Sequence, residues 1–191
     1  FEMGCNWKLF VENAMEELHI PTVHRKTIQQ NTPMETHAPE EARGEYCALF
    51  STHEGSMALL KGDAGFPEIP SRRGKAATGT YFVMLYPSTM LGVTSDCMWY
   101  LELRPLGPSK TLLIHGACFP KSTVARDDFN DVVERYFKRW DTTAQEDIEA
   151  SERQQRGLES PFSKRGRFSH HEVLVHEIDN WVLDRVLGPQ R

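Results

Sequence analysis

The sequence predicts an α+β fold in which helices pack against one antiparallel β-sheet. Two observations support this prediction. Apolar residues recur at helical spacing near both ends of the chain, and short β-rich runs occupy its centre. With 191 residues, of which 39% are hydrophobic and 26% charged, the chain is long enough for one well-packed domain. We therefore expect a single domain over residues 1–191.

The first predicted helix covers the N-terminal segment. Pro21 disfavours helical geometry at Ile20, so we expect this helix to end near His19. Residues 25–44 are polar, contain two prolines and show little periodicity, which predicts a loop or a mobile cover. The apolar stripe of the helix consists of Trp7, Phe10, Val11, Ala14, Met15 and Leu18.

The central residues 45–119 predict strands. Short runs rich in aromatic and β-branched residues are separated by the turn-prone pairs Pro87-Ser88, Ser95-Asp96 and Gly107-Pro108, which indicates an antiparallel meander. Residues 61–79, with four glycines and two prolines, predict a long connection. The predicted strands are residues 46–52, 80–86, 89–94, 98–104 and 110–119.

Two further helices are predicted after the strands. Residues 129–140 show helical spacing of apolar side chains, and residues 145–156 can continue the same helix to Gly157. The last helix is predicted to begin with Ser169 and Glu172, which have the spacing of a capping box. Its inward-facing residues are predicted to be Leu174, Val175, Ile178, Trp181 and Val182.

Charge and cysteine usage exclude several classes of protein. The formal charge of −5 and the pI of about 5.9 give no reason to expect a nucleic-acid or anionic-membrane partner. No run approaches the roughly 18 apolar residues of a membrane-spanning helix. The four cysteines lack C-x-x-C spacing, which is typical of reduced thiols. We therefore expect a cytoplasmic protein.

Carboxylates and imidazoles cluster around the predicted end of the first helix. Glu12, Glu16 and His19 share one ridge of that helix, and the last two are close enough for a hydrogen bond. His24 lies off this ridge in a continuous helix, but a break at Pro21 lets the chain bend back. Two neutral imidazoles suit divalent iron, zinc or copper. Such groups of residues often occur by chance, so this segment alone favours ordinary surface side chains.

Asp147 on the long helix changes this balance. It falls inside the apolar stripe if the helix is continuous, whereas Glu146 and Glu149 are predicted to point away. A carboxylate on a buried face needs a positive partner. A metal is one such partner, because two histidines and one carboxylate form the facial triad of non-haem iron oxygenases. The alternative is an ion pair with Arg104 or Arg126.

Other recognisable signatures are missing from the sequence. It contains no G-x-S-x-G, P-loop, G-x-G-x-x-G or H-E-x-x-H motif. His171 is a candidate to face a cavity, while His115 and His176 are interpreted as ordinary sheet and helix residues. The aromatic residues of the strands are interpreted mainly as core, with one or two in a pocket wall.

Two motifs resemble those of a known family. The N-terminal segment resembles the iron-binding motif of Rieske non-haem iron oxygenase α subunits, through Asn6-Trp7-Lys8 followed by Glu12-Asn13-x-x-Glu16-x-x-His19-x-x-x-x-His24. The long helix resembles the signature that supplies the third ligand, through Gln145-Glu146-Asp147, Glu152 and Gln155-Arg156-Gly157-Leu158. The resemblance implies a helix-grip fold (Bet v1/START-like), in which an antiparallel sheet wraps around a long helix with flanking helices.

The resemblance also implies roles for individual residues. His19, His24 and Asp147 would bind mononuclear Fe(II). Glu16 falls where the family places the carboxylate that links the iron site to the Rieske cluster of a neighbouring subunit. A glutamate at this position resembles the branch that acts on quaternary ammonium compounds. Asn13 matches an asparagine near the iron.

The function implied by the resemblance is that of a terminal oxygenase component. Such an oxidoreductase is a mono- or dioxygenase that uses O2 and NAD(P)H-derived electrons from a reductase or ferredoxin. It would hydroxylate or oxidatively demethylate an aromatic or quaternary ammonium substrate, as in ring hydroxylation and aromatic compound catabolism. A homotrimer or an α3β3 assembly is expected.

One part of the family pattern does not occur in this sequence. The C-x-H and C-x-x-H motifs that hold the [2Fe-2S] cluster are missing from the 191 residues. We therefore expect the chain to be the catalytic domain alone, without an N-terminal Rieske domain, and incomplete for turnover. The alternative function is that of a metal-free helix-grip domain that binds a hydrophobic small molecule.

Overall fold

The computed structural model describes residues 1–188. The strands are β1 (Glu2–Met3), β2 (His37–Arg43), β3 (Tyr46–Thr52), β4 (Gly79–Leu85), β5 (Thr89–Val93), β6 (Met98–Gly107) and β7 (Lys110–Cys118). The α-helices are α1 (Trp7–Ala14), α2 (Ile20–Val23), α3 (Lys121–Val124), α4 (Phe129–Leu158) and α5 (Val173–Leu187). Short 3-10 turns occupy Ile28–Gln30, Met34–Thr36 and Gly74–Ala77.

The strands form one antiparallel sheet of seven, which confirms the predicted α+β architecture. Their order is β1-β7-β6-β5-β4-β3-β2, so from β2 to β7 each strand pairs with the next along the chain. The predicted meander is therefore confirmed, and β3 to β7 begin and end within three residues of the predicted bounds. The short strand β1 adds to the β7 edge.

The prediction of a loop over residues 25–44 is wrong for its last part. Residues 37–43 form strand β2, which pairs with β3 at the end of the sheet. Its sequence is polar and contains Pro39, which lacks the N–H of a central strand. The edge position tolerates this proline, and the pairing register shifts between Pro39 and Glu41.

The prediction that the first helix ends near His19 is also wrong. Helix α1 ends at Ala14, and a separate one-turn helix, α2, begins at Ile20. Pro21 lies in the first turn of α2, where its missing N–H leaves no bond unmade. His19 therefore precedes α2 and His24 follows it, so the two imidazoles flank a single helical turn.

Helix α4 runs unbroken over 30 residues, as predicted, and packs against α1. At the last helix, the predicted capping box forms only in part: the Ser169 N–H donates to Glu172 at 2.7 Å, but α5 begins at Val173. Two buried clusters, one around Phe10 and one around Tyr136, make up the core. No helix of residues 1–188 has the length and apolar character that a membrane crossing requires.

Candidate metal centre

Three predicted metal-ligating side chains converge in the structure. His19 and His24 approach from the two ends of α2, and Asp147 projects from α4. One potential ligand atom from each residue lies within 4.8 Å of the other two. His24 Nε2 is 3.0 Å from Asp147 Oδ1, and His19 Nε2 is 3.7 Å from the same oxygen. Two nitrogens and one oxygen therefore face a common point.

In each of the two imidazoles, the Nδ1 atom is hydrogen-bonded to a carboxylate. His19 Nδ1 lies 2.6 Å from Glu16 Oε1, and His24 Nδ1 lies 2.8 Å from Glu146 Oε2. A carboxylate can only accept at neutral pH, so each Nδ1 donates and each Nε2 is free to act as a ligand. The two carboxylates thus select the ring orientation that a metal requires.

Glu16 makes its predicted contact although α1 has already ended. Because residues 15–19 form a turn, its second carboxylate oxygen accepts from the backbone N–H of Leu18 and, at 3.2 Å, from that of His19. These bonds fix the Glu16 side chain in place. Asn13 contacts the third member of the triad, since its amide donates to Asp147 Oδ1 at 2.9 Å.

Glu146 corrects the sequence prediction. The prediction that it points away from the apolar stripe of α4 gives it no role in the site, but it accepts hydrogen bonds from His24 and, at 2.7 Å, from the Thr27 hydroxyl. The reason is that α2 packs beside α4, on the flank where Glu146 lies. Helix periodicity carries no signal for this contact, because its partners are more than a hundred residues earlier in the chain.

The alternative ion pair for Asp147 does not form. Arg104 pairs with Glu102 at 2.8 Å, and Arg126 pairs with Asp128 at 2.7 Å. Asp147 instead has the two imidazoles as neighbours. Among residues 1–188, no lysine or arginine forms a salt bridge with any of the three carboxylates around those imidazoles.

The electrostatics of the triad reflect this surplus of carboxylates. Burial alone would raise the pKa of Asp147, but the charge of His24 and the hydrogen bonds from His24 and Asn13 hold it below its ordinary value. Burial alone would lower the pKa of His24, but Asp147 and Glu146 raise it. A cation between these groups would therefore be strongly stabilised.

The donor set fits a divalent metal. Two imidazole nitrogens and one carboxylate oxygen match the facial triad that binds iron and leaves coordination positions open. The paired Nδ1 atoms and the surplus negative charge agree with such an ion. The residues present therefore suit the mononuclear iron site implied by the sequence resemblance.

The triad lies in the wall of a mostly apolar cavity. This cavity has about 650 Å³ of empty space, part of it open to solvent. Residues of α1, α2, α4 and the sheet surround it, and its apolar walls include Phe10, Ile20, Phe82, Met90, Trp99 and Leu101. A space of this size can hold a small organic molecule next to the three ligand atoms.

Two cavity residues were not recognised from the sequence. His115 was interpreted as an ordinary sheet residue, but on β7 it lines the cavity. Arg139 on α4 also lines it, and nothing in the apolar spacing of that helix marks an arginine at this depth. His171, a candidate cavity residue, instead contacts Glu17 at 3.2 Å, outside the cavity lining.

Comparison with known proteins identifies the family of this chain. The family model described as "Ring hydroxylating alpha subunit (catalytic domain)" matches residues 1–188. Chloroplastic choline monooxygenase of Spinacia oleracea is 25% identical over 187 residues, and that of Arabidopsis thaliana is 26% identical over 177 residues. These alignments cover 95% and 92% of this chain but only 38% of each relative.

Solved structures share the fold. Naphthalene 1,2-dioxygenase from Rhodococcus sp. superposes with a TM-score of 0.71 at 13% identity, covering 100% of this chain and 56% of that chain. The quaternary ammonium Rieske monooxygenase CntA in complex with gamma-butyrobetaine superposes with a TM-score of 0.62 at 18% identity. This match covers 95% of this chain and 45% of that chain. Dicamba monooxygenase bound to dicamba superposes with a TM-score of 0.62 at 17% identity, covering 97% of this chain and 57% of that chain. The predicted helix-grip fold is thereby confirmed.

Proposed function

The chain belongs to the family of ring hydroxylating alpha subunit catalytic domains, and from this premise we propose that it holds the iron site of a Rieske-type terminal oxygenase. The observation that supports this most directly is the convergence of His19, His24 and Asp147 in the wall of an apolar cavity. The proposed reaction uses O2 and NAD(P)H-derived electrons. It hydroxylates or oxidatively demethylates an aromatic or quaternary ammonium substrate.

Each residue of the site has a separate task in this proposal. His19 Nε2, His24 Nε2 and an Asp147 oxygen would hold Fe(II), and bound iron would supply the oxidation chemistry. Glu16 and Glu146 orient the two imidazoles, since each accepts a hydrogen bond from one Nδ1. The apolar walls keep water away from the substrate.

We further propose that Glu16 marks the side from which electrons arrive. It contacts His19 directly and accepts a hydrogen bond from the backbone of Leu18, a residue that is 39% exposed. This exposed turn is where a neighbouring subunit would place its cluster, in a homotrimer or an α3β3 assembly. Asn13 would support the same junction by holding Asp147.

The remaining components belong to a longer protein in this proposal. The chain spans about 38% of the length of the choline monooxygenases that it matches. Its 191 residues contain no C-x-H or C-x-x-H motif, so we propose that a separate Rieske domain holds the [2Fe-2S] cluster. A reductase or ferredoxin would supply electrons to that cluster. A cytoplasmic location stays a prediction, since these relatives are chloroplastic.

The alternative of a metal-free binding domain has less support. A domain that binds only a hydrophobic molecule has no need of three carboxylates around two imidazoles, because grouped charges in a cavity wall are costly. The family match also favours the oxygenase.

Metal titration tests the proposed site. We expect the anaerobic chain to bind one equivalent of Co(II), used as a spectroscopic substitute for Fe(II). His24→Ala should weaken this binding at least a hundredfold, since it removes a ligand. The matched control His171→Ala removes an imidazole outside the cavity and should bind as tightly as the unaltered chain. Undiminished binding in a folded His24→Ala variant, checked by far-UV circular dichroism, would contradict the proposal.

A further inference from the structure

Arg139 is a buried cation in the wall of the same cavity. Arg139 is only 5% exposed, and within residues 1–188 its guanidinium forms one hydrogen bond to another side chain, from Nη1 to the Thr143 hydroxyl at 3.1 Å. Within residues 1–188, no described carboxylate lies within 4.0 Å of its guanidinium. A guanidinium has five N–H donors. Arg139 lines the cavity, and most of these donors have no charged partner among the described residues.

This arrangement is unfavourable for the empty protein. Burial lowers the pKa of Arg139 to about 10, which still leaves the group charged at neutral pH. An isolated charge in a protein interior is costly unless a partner neutralises it. The two carboxylates of its own helix whose charges raise the pKa of Arg139, Asp147 and Glu146, are each paired with a histidine.

One wall of the cavity is formed by Arg139 together with Trp99, His115 and Trp140, and we call these four residues the cationic wall. The guanidinium carbon of Arg139 lies 5.4 Å from the ring centre of Trp99, and the rings of His115 and Trp140 are 5.4 Å apart. All four residues line the cavity. Trp140 Nε1 and His115 Nε2 are buried and have no hydrogen-bond partner.

The unpartnered atoms of the cationic wall are suited to donate. An indole N–H can only donate. Burial first, and then the charge of Arg139, lower the pKa of His115 to about 4, so His115 is neutral at physiological pH. Either nitrogen of a neutral imidazole can carry the proton, so His115 Nε2 can act as a donor. The wall thus offers a positive charge and several N–H groups but needs acceptors.

From these observations we propose that the cavity binds a substrate with an anionic group, a carboxylate in the first instance, and that Arg139 binds that group. This inference rests on the proposed function, because it defines the substrate of the same cavity. A carboxylate presents two acceptor oxygens that match the fork of a guanidinium, which is the strongest kind of hydrogen-bonded pair.

Helix α4 carries both Arg139 and the proposed ligand Asp147, about two turns apart. Arg139 and Asp147 are eight residues apart on α4, which corresponds to about 12 Å along the helix axis. Thr143 and Ala144 line the cavity between them. An acid bound at Arg139 would therefore direct its uncharged part towards the triad.

The same wall disfavours a purely cationic substrate. A quaternary ammonium group would be attracted to the face of Trp99. The guanidinium of Arg139 already makes a cation–π contact with that ring, and its charge repels a second cation. A zwitterion with a carboxylate satisfies Arg139, whereas a cation without one does not. The proposed class therefore comprises aromatic acids and carboxylated ammonium compounds.

Calorimetric binding of three probes tests this inference on the 191-residue chain. Benzoate and benzamide have nearly the same shape, but only benzoate is charged, and choline is a cation without an acid group. We expect benzoate to bind at least tenfold more tightly than benzamide, and choline to bind the least. Equal affinities for benzoate and benzamide would overturn the inference.

Three variants locate the binding group. Arg139→Met should reduce benzoate affinity at least tenfold, to the level of benzamide, while Lys138→Met should retain the preference because Lys138 is exposed on the same helix. Arg139→Lys keeps the positive charge but loses the paired N–H donors of the guanidinium, so it should retain part of the preference for benzoate over benzamide. This variant tests the inference if Arg139→Met does not fold. Benzoate binding that is unchanged in a folded Arg139→Met variant overturns the inference.

Metal titration of the same samples separates this inference from the proposed function. Benzoate that coordinates the metal directly would bind only to the Co(II)-loaded chain, so a preference confined to that sample overturns the role of Arg139. A preference that also appears in the metal-free chain supports it. Metal binding without a benzoate preference would contradict this inference alone, whereas a preference without metal binding would contradict the proposed function.

Discussion

The two ends of the cavity have opposite electrostatic character. At the triad, two imidazoles are surrounded by Glu16, Glu146 and Asp147, and each Nδ1 is satisfied by a carboxylate. At the cationic wall, Arg139 has no carboxylate within salt-bridge distance among the described residues, and two ring nitrogens lack partners. One end lacks a cation and the other lacks an anion. This difference agrees with the proposals above, in which a metal binds at one end of the cavity and an acidic substrate at the other.

The largest effect is expected when the triad loses its carboxylate. Asp147→Asn replaces the negative ligand by a neutral amide, so Co(II) affinity should fall at least a hundredfold, or about 2.7 kcal/mol. The control Asp141→Asn lies at an exposed position of the same helix and should bind normally. Spectroscopic titration of both variants measures the difference. Equal affinities would mean that the triad is not a metal site.

A smaller effect is expected from the carboxylate that the sequence prediction placed elsewhere. Glu146→Ala removes the acceptor for His24 Nδ1 and should lower metal affinity roughly 10- to 100-fold. Glu149→Ala is the matched control, since Glu149 is exposed on the same helix. If the two variants bind Co(II) equally well, Glu146 does not position the ring of His24.

The pH dependence of stability probes the cationic wall. The pKa of His115 is lowered to about 4, so the unfolded chain binds its proton first as the pH falls below about 6.5. Stability is therefore lost as the pH falls from about 6.5 towards 4. Between pH 7.5 and 5.5, His115→Gln should lose roughly 1.4 kcal/mol less than the unaltered chain. Urea unfolding at both pH values measures this, and an identical loss would show that His115 is not held neutral.

The smallest expected effect concerns the stability of the empty protein. If Arg139 is retained for an acidic ligand, Arg139→Met should leave the free energy of unfolding unchanged or raise it by about 1 kcal/mol, because a buried unpaired charge is removed. Urea unfolding of the metal-free, ligand-free chain measures this change. A loss of more than about 2 kcal/mol would instead assign Arg139 a structural role through Trp99 and Thr143.

Regular elements that bury one face were predictable from the sequence. Strand β3 alternates little but is rich in apolar and β-branched residues, and its predicted bounds 46–52 agree with the structure. Helix α4 was predicted through its apolar stripe over nearly its whole length. Strand β2 was not, because an edge strand does not require the apolar pattern of a central one.

Some residues of the candidate site were likewise predictable from the sequence, and others were not. His19, His24 and Asp147 were selected by residue type, spacing and family resemblance, and the structure brings them within 4.8 Å. Their roles as ligands stay a prediction. Glu146 and Arg139 were missed, since each owes its position to what packs against the flank of α4 rather than to the period of the helix itself.

The sequence by itself determined the α+β class, the order of the main elements and the residue types available for a metal. Those features follow from local periodicity and from a motif within a short segment. Only the tertiary structure decided that His24 meets Glu146 and that Arg139 meets no carboxylate among the described residues. Contacts between residues more than a hundred positions apart depend on how α2, α4 and the sheet pack together. No local pattern records that packing.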